Sequence, residues 1–231
     1  MYYYLLYPLF IVAILISAYA QFKVSTTFRK YSRVATASGR TAAQVAREIL
    51  DRNGLRNVGI ERVGGHLSDH YDPGANVLRL SDSVYSSPSA AAIGVAAHEA
   101  GHAIQHAEDY LPIRVRSRLV PITNFASRAS WIFIFLGILL YGLSVLGDWV
   151  LLIGVGLFAV TTLFQLVTLP CEFNASRRAL SAMDGMGYFS RRELSDAKRV
   201  LSAAAMTYVA ALIVSILQLL RYLTLLNRRR R

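Results

Sequence analysis

Four long runs of apolar residues punctuate an otherwise polar chain: Tyr2 to Phe22, Ser130 to Leu146, Trp149 to Leu169 and Ala203 to Leu226. A helix needs about 20 such residues to cross the hydrocarbon of a bilayer, so the pattern predicts about four transmembrane helices. Only Gly147 and Asp148 separate the second run from the third, which predicts a tight helical hairpin turning at that pair. Trp131, Tyr141, Trp149, Tyr208 and Tyr222 lie toward ends of these runs, where amphipathic rings favour the membrane interface.

Between the runs the spacing of apolar positions changes. Thr41 followed three residues later by Gln44 is a capping box. Val45 and Ile49 then give an i, i+4 stripe and Gly54 a stop, so a helix is expected over Ala42 to Asn53. Val58 to Val63, Gly65 to Ser68 and Asn76 to Leu80 are short and bounded by Gly, Asn and Pro, as in a small antiparallel sheet, and the last could pair with an extended peptide. Ser87 as a cap and Pro88 at the first helical position predict a helix running to about Ala107.

Composition narrows the class. The 231 residues are 54% hydrophobic and 17% charged, too apolar for intrinsic disorder, and the single Cys171 cannot support a disulfide scaffold. The net charge of +11 is unevenly placed: 14 Lys+Arg fall between Lys23 and Arg128, 6 between Arg177 and Arg199, 5 at Arg221 and Arg228 to Arg231, and none at the Gly147–Asp148 turn. The positive-inside tendency therefore puts both large loops in the cytoplasm and the hairpin turn outside. A complete fourth span would carry Arg228 to Arg231 outward, against that tendency. Ala18-Tyr19-Ala20 resembles a signal-peptidase site, but no basic residue precedes it and Lys23, Arg29 and Lys30 follow closely, so the first span is expected to stay as an anchor. The arginines are scattered without interleaved aromatics, so no nucleic-acid partner is expected. The absence of an inverted repeat disfavours a transporter.

The chemistry lies in His98-Glu99-Ala100-Gly101-His102, an H-E-x-x-H pattern inside the expected helix. Imidazoles at i and i+4 stand about 6 Å apart on one helical face and can reach one divalent ion. Glu99, about 100° round the axis, falls beside the open coordination position, where it can take a proton. Alanines and Ile93, Val95 and Ile104 surround the motif, which implies a buried helix whose polar groups need a partner such as a metal. His106 continues the spacing but stands about 12 Å from His98 along the axis, too far for the same ion, and suits a capping or supporting role. For a third ligand His66, His70, Asp69, Asp72 and Glu172 are candidates. Cys171, a possible thiolate ligand, reads better as a small buried apolar residue.

The runs Leu67 to Pro73, Leu78 to Ser81, Ala92 to His106 and Glu172 to Leu180 resemble the neutral zinc metallopeptidase family of bacterial membrane proteases, the YugP type, over nearly the whole chain. The chain is more distantly similar to the HtpX and CAAX prenyl protease group. The resemblance implies one Zn2+ held by His98, His102 and Glu172, with Glu99 as catalytic base, as in a gluzincin. In the HtpX group an Asp usually stands four residues beyond the ligand Glu, whereas here that place is Ser176.

The expected fold class is mainly α and integral to the membrane: about four transmembrane helices with a zincin-like helical catalytic module carrying a small antiparallel β-sheet. The expected organisation is an N-terminal anchor (1–22), a cytoplasmic module with the H-E-A-G-H helix (23–129), a transmembrane hairpin (130–169), a third-ligand helix and cytoplasmic loop (170–202), and a C-terminal transmembrane or membrane-associated helix with a basic tail (203–231). The expected function is that of a zinc-dependent endopeptidase in a bacterial cell membrane, acting on peptide or protein substrates from the cytoplasmic side. His70, Tyr71, Arg177 and Arg178 are candidate oxyanion or substrate contacts. The rival expectation is a zinc-stabilised membrane scaffold without turnover, although no structural zinc site requires Glu99.

Overall fold

A computed structural model describes residues 3–65, 67–140 and 145–227. In chain order the described elements are α1 (Tyr3–Tyr31), α2 (Ala42–Arg52), β1 (Gly59–Val63), β2 (His70–Asp72), β3 (Val77–Ser81), α3 (Ala90–Ala107), α4 (Leu111–Leu139), α5 (Val145–Gly185) and α6 (Arg191–Asn227). The chain is thus mainly α with one small sheet, and α1, α4, α5 and α6 are each long and apolar enough to cross a membrane. These helices extend well beyond the apolar runs. α5 continues through Pro170 for a further fifteen residues, and α6 begins twelve residues before Ala203.

The chain divides into two compact units. One, here the apolar unit, comprises Met1–Tyr19, Val115–Leu169 and Tyr208–Arg231; the other, the polar unit, comprises Ala20–Arg114 and Pro170–Thr207. In the apolar unit α4 and α5 approach closely. A Cβ on Gly154 would lie 2.7 Å from the Ile134 backbone nitrogen, so only glycine permits the contact. Gly147 and Asp148, expected as the turn, are instead helical residues in the first turns of α5, and the interruption falls after Leu139. Nothing in their side chains forbids helix, and helical hydrogen bonding there satisfies backbone groups that bilayer cannot. Tyr141 and Arg228 to Arg231 lie outside the described residues.

In the polar unit α2 begins at the expected capping box: the Thr41 hydroxyl accepts from the Gln44 N–H, and the Gln44 side chain accepts from the Thr41 N–H. Its buried face, Val45, Ile49 and Leu50, joins Leu78 and Leu80 of β3 and Ile93 of α3 in one core with Met183 of α5. The sheet differs from expectation in two ways. Its second strand is His70–Asp72 rather than Gly65 to Ser68, because Gly65 takes a positive φ of 109° and the Ser68 hydroxyl turns back to the Gly64 carbonyl. The spatial order is β1-β3-β2, with β2 antiparallel and β1 parallel to β3, so the sheet is mixed. Asp72 Oδ1 accepts from the N–H groups of Gly74 and Ala75, tightening the β2–β3 turn. Being central, β3 has both edges paired and cannot take a further strand, which removes it as a docking edge for peptide.

The N-cap of α3 is Ser89, two residues later than expected. Its hydroxyl accepts from the Ala92 N–H, while Ser87 supports it through a 3.0 Å hydroxyl contact. Seven alanines of α3 are buried, and their small side chains let neighbouring elements approach its backbone.

Candidate metal centre

The motif lies in the middle of α3. His102 is buried and His98 half-buried on the side facing α5, and half-buried Glu99 lies about 100° round the axis, against β2. Gly101 makes this proximity possible: a Cβ there would lie 2.7 Å from the carbonyl oxygen of Ala175. Close passage of the two helices brings Glu172, only 2% exposed, between the two imidazoles. Its Oε2 stands 3.2 Å from His98 Nε2 and 3.6 Å from His102 Nε2. One ligand atom from each of the three residues lies within 4.8 Å of the others, the sole such group among the described residues.

The geometry suits a metal. Ligand atoms around a tetrahedral ion with bonds of about 2.0 to 2.1 Å lie about 3.3 Å apart, which the two imidazole–carboxylate distances bracket. The donor set, two imidazoles and a carboxylate, is one that zinc accepts.

Supporting side chains orient the rings. Gln105 Nε2 donates to the Cys171 carbonyl (2.8 Å) and to Asn174 Oδ1 (2.8 Å), which fixes the amide so that its Oε1 faces His102 Nδ1 at 3.0 Å. A carbonyl oxygen can only accept, so this contact calls for a proton on His102 Nδ1, an arrangement in which Nε2 is the atom that would ligate an ion. On the other ring, His98 Nδ1 meets Ser176 Oγ at 3.1 Å. Ser176 thus stands one turn beyond Glu172, against the His98 ring.

Glu99 Oε2 accepts from the Tyr71 backbone N–H at 3.1 Å. In the antiparallel β2–β3 pair alternate N–H groups point off the sheet, and that of Tyr71 points to α3. Burial raises the Glu99 carboxyl above the ordinary carboxylate range, against the opposing pull of His98 and His102. His102 shows the reverse balance: burial works against its protonated form, but the carboxylates of Glu172 and Glu99 raise its basicity overall. Two carboxylates and two imidazoles concentrated in so little space form an anionic pocket that a divalent cation would neutralise.

The remaining candidates sit elsewhere in local networks. Asp69 accepts from the Ser81 N–H and hydroxyl, and Asp72 closes its turn and pairs with Arg79 at 2.6 Å; neither joins the cluster. His70 is exposed, with Nδ1 against the Ser68 carbonyl. The Tyr71 hydroxyl donates to Asn76, and its ring packs against His106 with centroids 5.5 Å apart, giving His106 a packing role at the end of α3. Arg178 donates to Asn174 and pairs with Glu108, so it braces the Gln105–His102 network from behind. Arg177 is exposed, Cys171 is wholly buried and outside the cluster, and His66 lies outside the described residues. Sequence reasoning missed Gln105, Asn174 and the Tyr71 N–H. The spacing of Gln105 from His102 (i+3) was the one available signal.

Comparison with known proteins places the chain in a family. Residues 6–227 match the family described as "Putative neutral zinc metallopeptidase". The chain is 48% identical over 212 residues, 92% of either chain, to "Putative membrane protease YugP" of Bacillus subtilis (strain 168). No solved structure matches it. Four apolar helices and a membrane-protease relative together indicate a bacterial membrane protein. By a match covering nearly its full length, the chain belongs to the neutral zinc metallopeptidase family so described.

Proposed function

We propose that the protein is a membrane-embedded zinc endopeptidase in which His98, His102 and Glu172 hold one zinc ion and Glu99 is the general base. The observation that carries this reading is the convergence of the three donors at coordination spacing beside a carboxylate that is not one of them. When bound, zinc supplies a Lewis acid that acidifies a ligated water and polarises a scissile carbonyl. Glu172 and the Nε2 atoms of the two histidines bind the ion, and Gln105 and Ser176 keep both rings aimed. The Tyr71 N–H holds one oxygen of Glu99, so the carboxylate accepts a proton from water and returns it to the leaving amine without having to find its orientation. Burial raises the affinity of Glu99 for a proton, the direction a general base needs. Of the candidate substrate contacts, Tyr71 touches the base directly, through its backbone N–H. The distribution of basic residues supports a cytoplasmic site acting on peptide or protein substrates at the bilayer.

The test is Glu99→Gln in purified full-length protein. Zinc content should stay near that of the parent, while cleavage of an unfolded protein substrate falls by about 10²- to 10⁴-fold. Parental cleavage by a zinc-loaded Glu99→Gln protein removes the base assignment. Zinc without cleavage in the parent itself selects the scaffold reading.

A further inference from the structure

Away from the metal centre, the C-terminal part of α1 and the N-terminal part of α6 enclose a groove of about 780 Å³ within the polar unit. Four cations line it, Lys23 and Lys30 from α1 and Lys198 and Arg199 from α6, with no carboxylate among the lining residues. Hydroxyls of Thr27, Ser195 and Ser202 stand between them, while that of Thr26 turns back to the Phe22 carbonyl. Arg199 is positioned by a 2.8 Å hydrogen bond from its Nη1 to the Tyr31 hydroxyl, and Lys30 lies over the Tyr31 ring. Asp196, outside the lining, offsets part of the Arg199 charge, but no carboxylate enters the groove, so the gathered cations raise each other's energy there, and hydroxyls interleaved among them suit an oxyanion with several acceptor oxygens.

The place of the groove along the two helices says which oxyanion. The apolar run of α1 ends at Phe22, one residue before Lys23, and that of α6 begins at Ala203, one residue after Ser202. The two helices run in opposite chain directions yet change from polar to apolar at the same lining residues. This marks the groove as the level at which a bilayer's headgroups begin. Ala203 and Met206 continue its wall with apolar surface, which suits the glycerol and first methylenes of a lipid and offers nothing to a free phosphate ion.

We infer that this groove binds the phosphodiester headgroup of an anionic phospholipid, through Lys23, Lys30, Lys198 and Arg199. The proposal does not depend on zinc or peptidase chemistry, and its test requires neither. Full-length protein in neutral detergent is titrated with phosphatidylglycerol and with phosphatidylcholine, and bound lipid is read by native mass spectrometry. Phosphatidylglycerol should be retained in preference. The Lys23→Gln/Lys198→Gln/Arg199→Gln variant should lose about tenfold or more of that affinity, since each surface cation near anionic lipid is worth a several-fold factor. Two comparison variants guard against misfolding and diffuse charge. Lys23→Arg/Lys198→Arg should bind as the parent does, and so should Arg33→Gln/Arg56→Gln/Arg192→Gln, which removes the same charge outside the groove. Equal retention of the two lipids, an unchanged affinity in the first variant, or an equal loss in the last overturns the proposal. Stoichiometric, groove-dependent binding of inorganic phosphate in lipid-free detergent overturns the lipid as occupant.

Discussion

The two units place their large apolar side chains in opposite positions. In the apolar unit Phe125, Trp131, Phe135 and Leu146 face outward, and the buried cluster is small: Ile134, Leu151, Val155 and Tyr222. In the polar unit Ile49, Leu50, Leu78, Ile93 and Met183 are buried together, and the outside carries the ion pairs, such as Arg40–Glu48 and Arg62–Asp82. Exposure therefore means contact with different solvents in the two units. An outward phenylalanine is at home against lipid, where small-residue packing rather than burial of apolar area holds helices together. The same residue exposed to water would be a liability.

The contrast can be broken most severely at the metal centre. Glu172→Ala should remove stoichiometric zinc and abolish cleavage, and metal analysis of purified protein checks it. Because ligand binding stabilises only the folded state, stripping zinc from the parent with a chelator should lower its melting temperature, while Glu172→Ala, already metal-free, should not respond. A second experiment compares residues of equal exposure. Phe135 and Leu111 are both 67% exposed. Phe135→Asp should cost about 3 kcal/mol in a membrane-insertion assay. Leu111→Asp, in the first turn of α4 where an acid meets the helix N-terminus favourably, should change stability by about 0.5 kcal/mol or less. Equal penalties would mean that Phe135 does not face lipid.

Smaller effects test how the polar unit supports the site. Gly101→Val should separate α3 from Ala175 and destabilise the unit by about 1 to 3 kcal/mol, seen as earlier thermal unfolding with weaker zinc retention. Ser176→Ala should leave the fold intact and weaken zinc binding by about tenfold, measured by competition with a chromogenic chelator. No change in zinc affinity would mean that the 3.1 Å contact to His98 does not orient the ring.

What could be read from the sequence follows the same division. The apolar runs, the Thr41 capping box and the H-E-x-x-H spacing are local patterns, legible because helix geometry repeats every few residues. The position of β2 and its neighbours was not legible, because a three-residue strand has no periodicity and its pairing with β3 depends on the turn at Asp72. The parallel alignment of β1 reflects long-range topology that composition does not encode. Gly147 suggested a turn for sound reasons of propensity, but the close approach of α4 and α5 gives that glycine another use. At the site, the histidines and Glu99 were legible. Gln105 and Asn174 were not, because their partners come from a helix more than sixty residues away.

One consequence follows from the helical course of α5 beyond Pro170. One turn of it serves two clients, with Glu172 aimed at both imidazoles and Ser176 seated against the His98 ring. Deleting a residue between them turns everything downstream by about 100° and shortens the helix by about 1.5 Å, so both seats cannot be kept at once. The spacing of Glu172 from Ser176 is therefore itself under chemical constraint, whatever the residues between them.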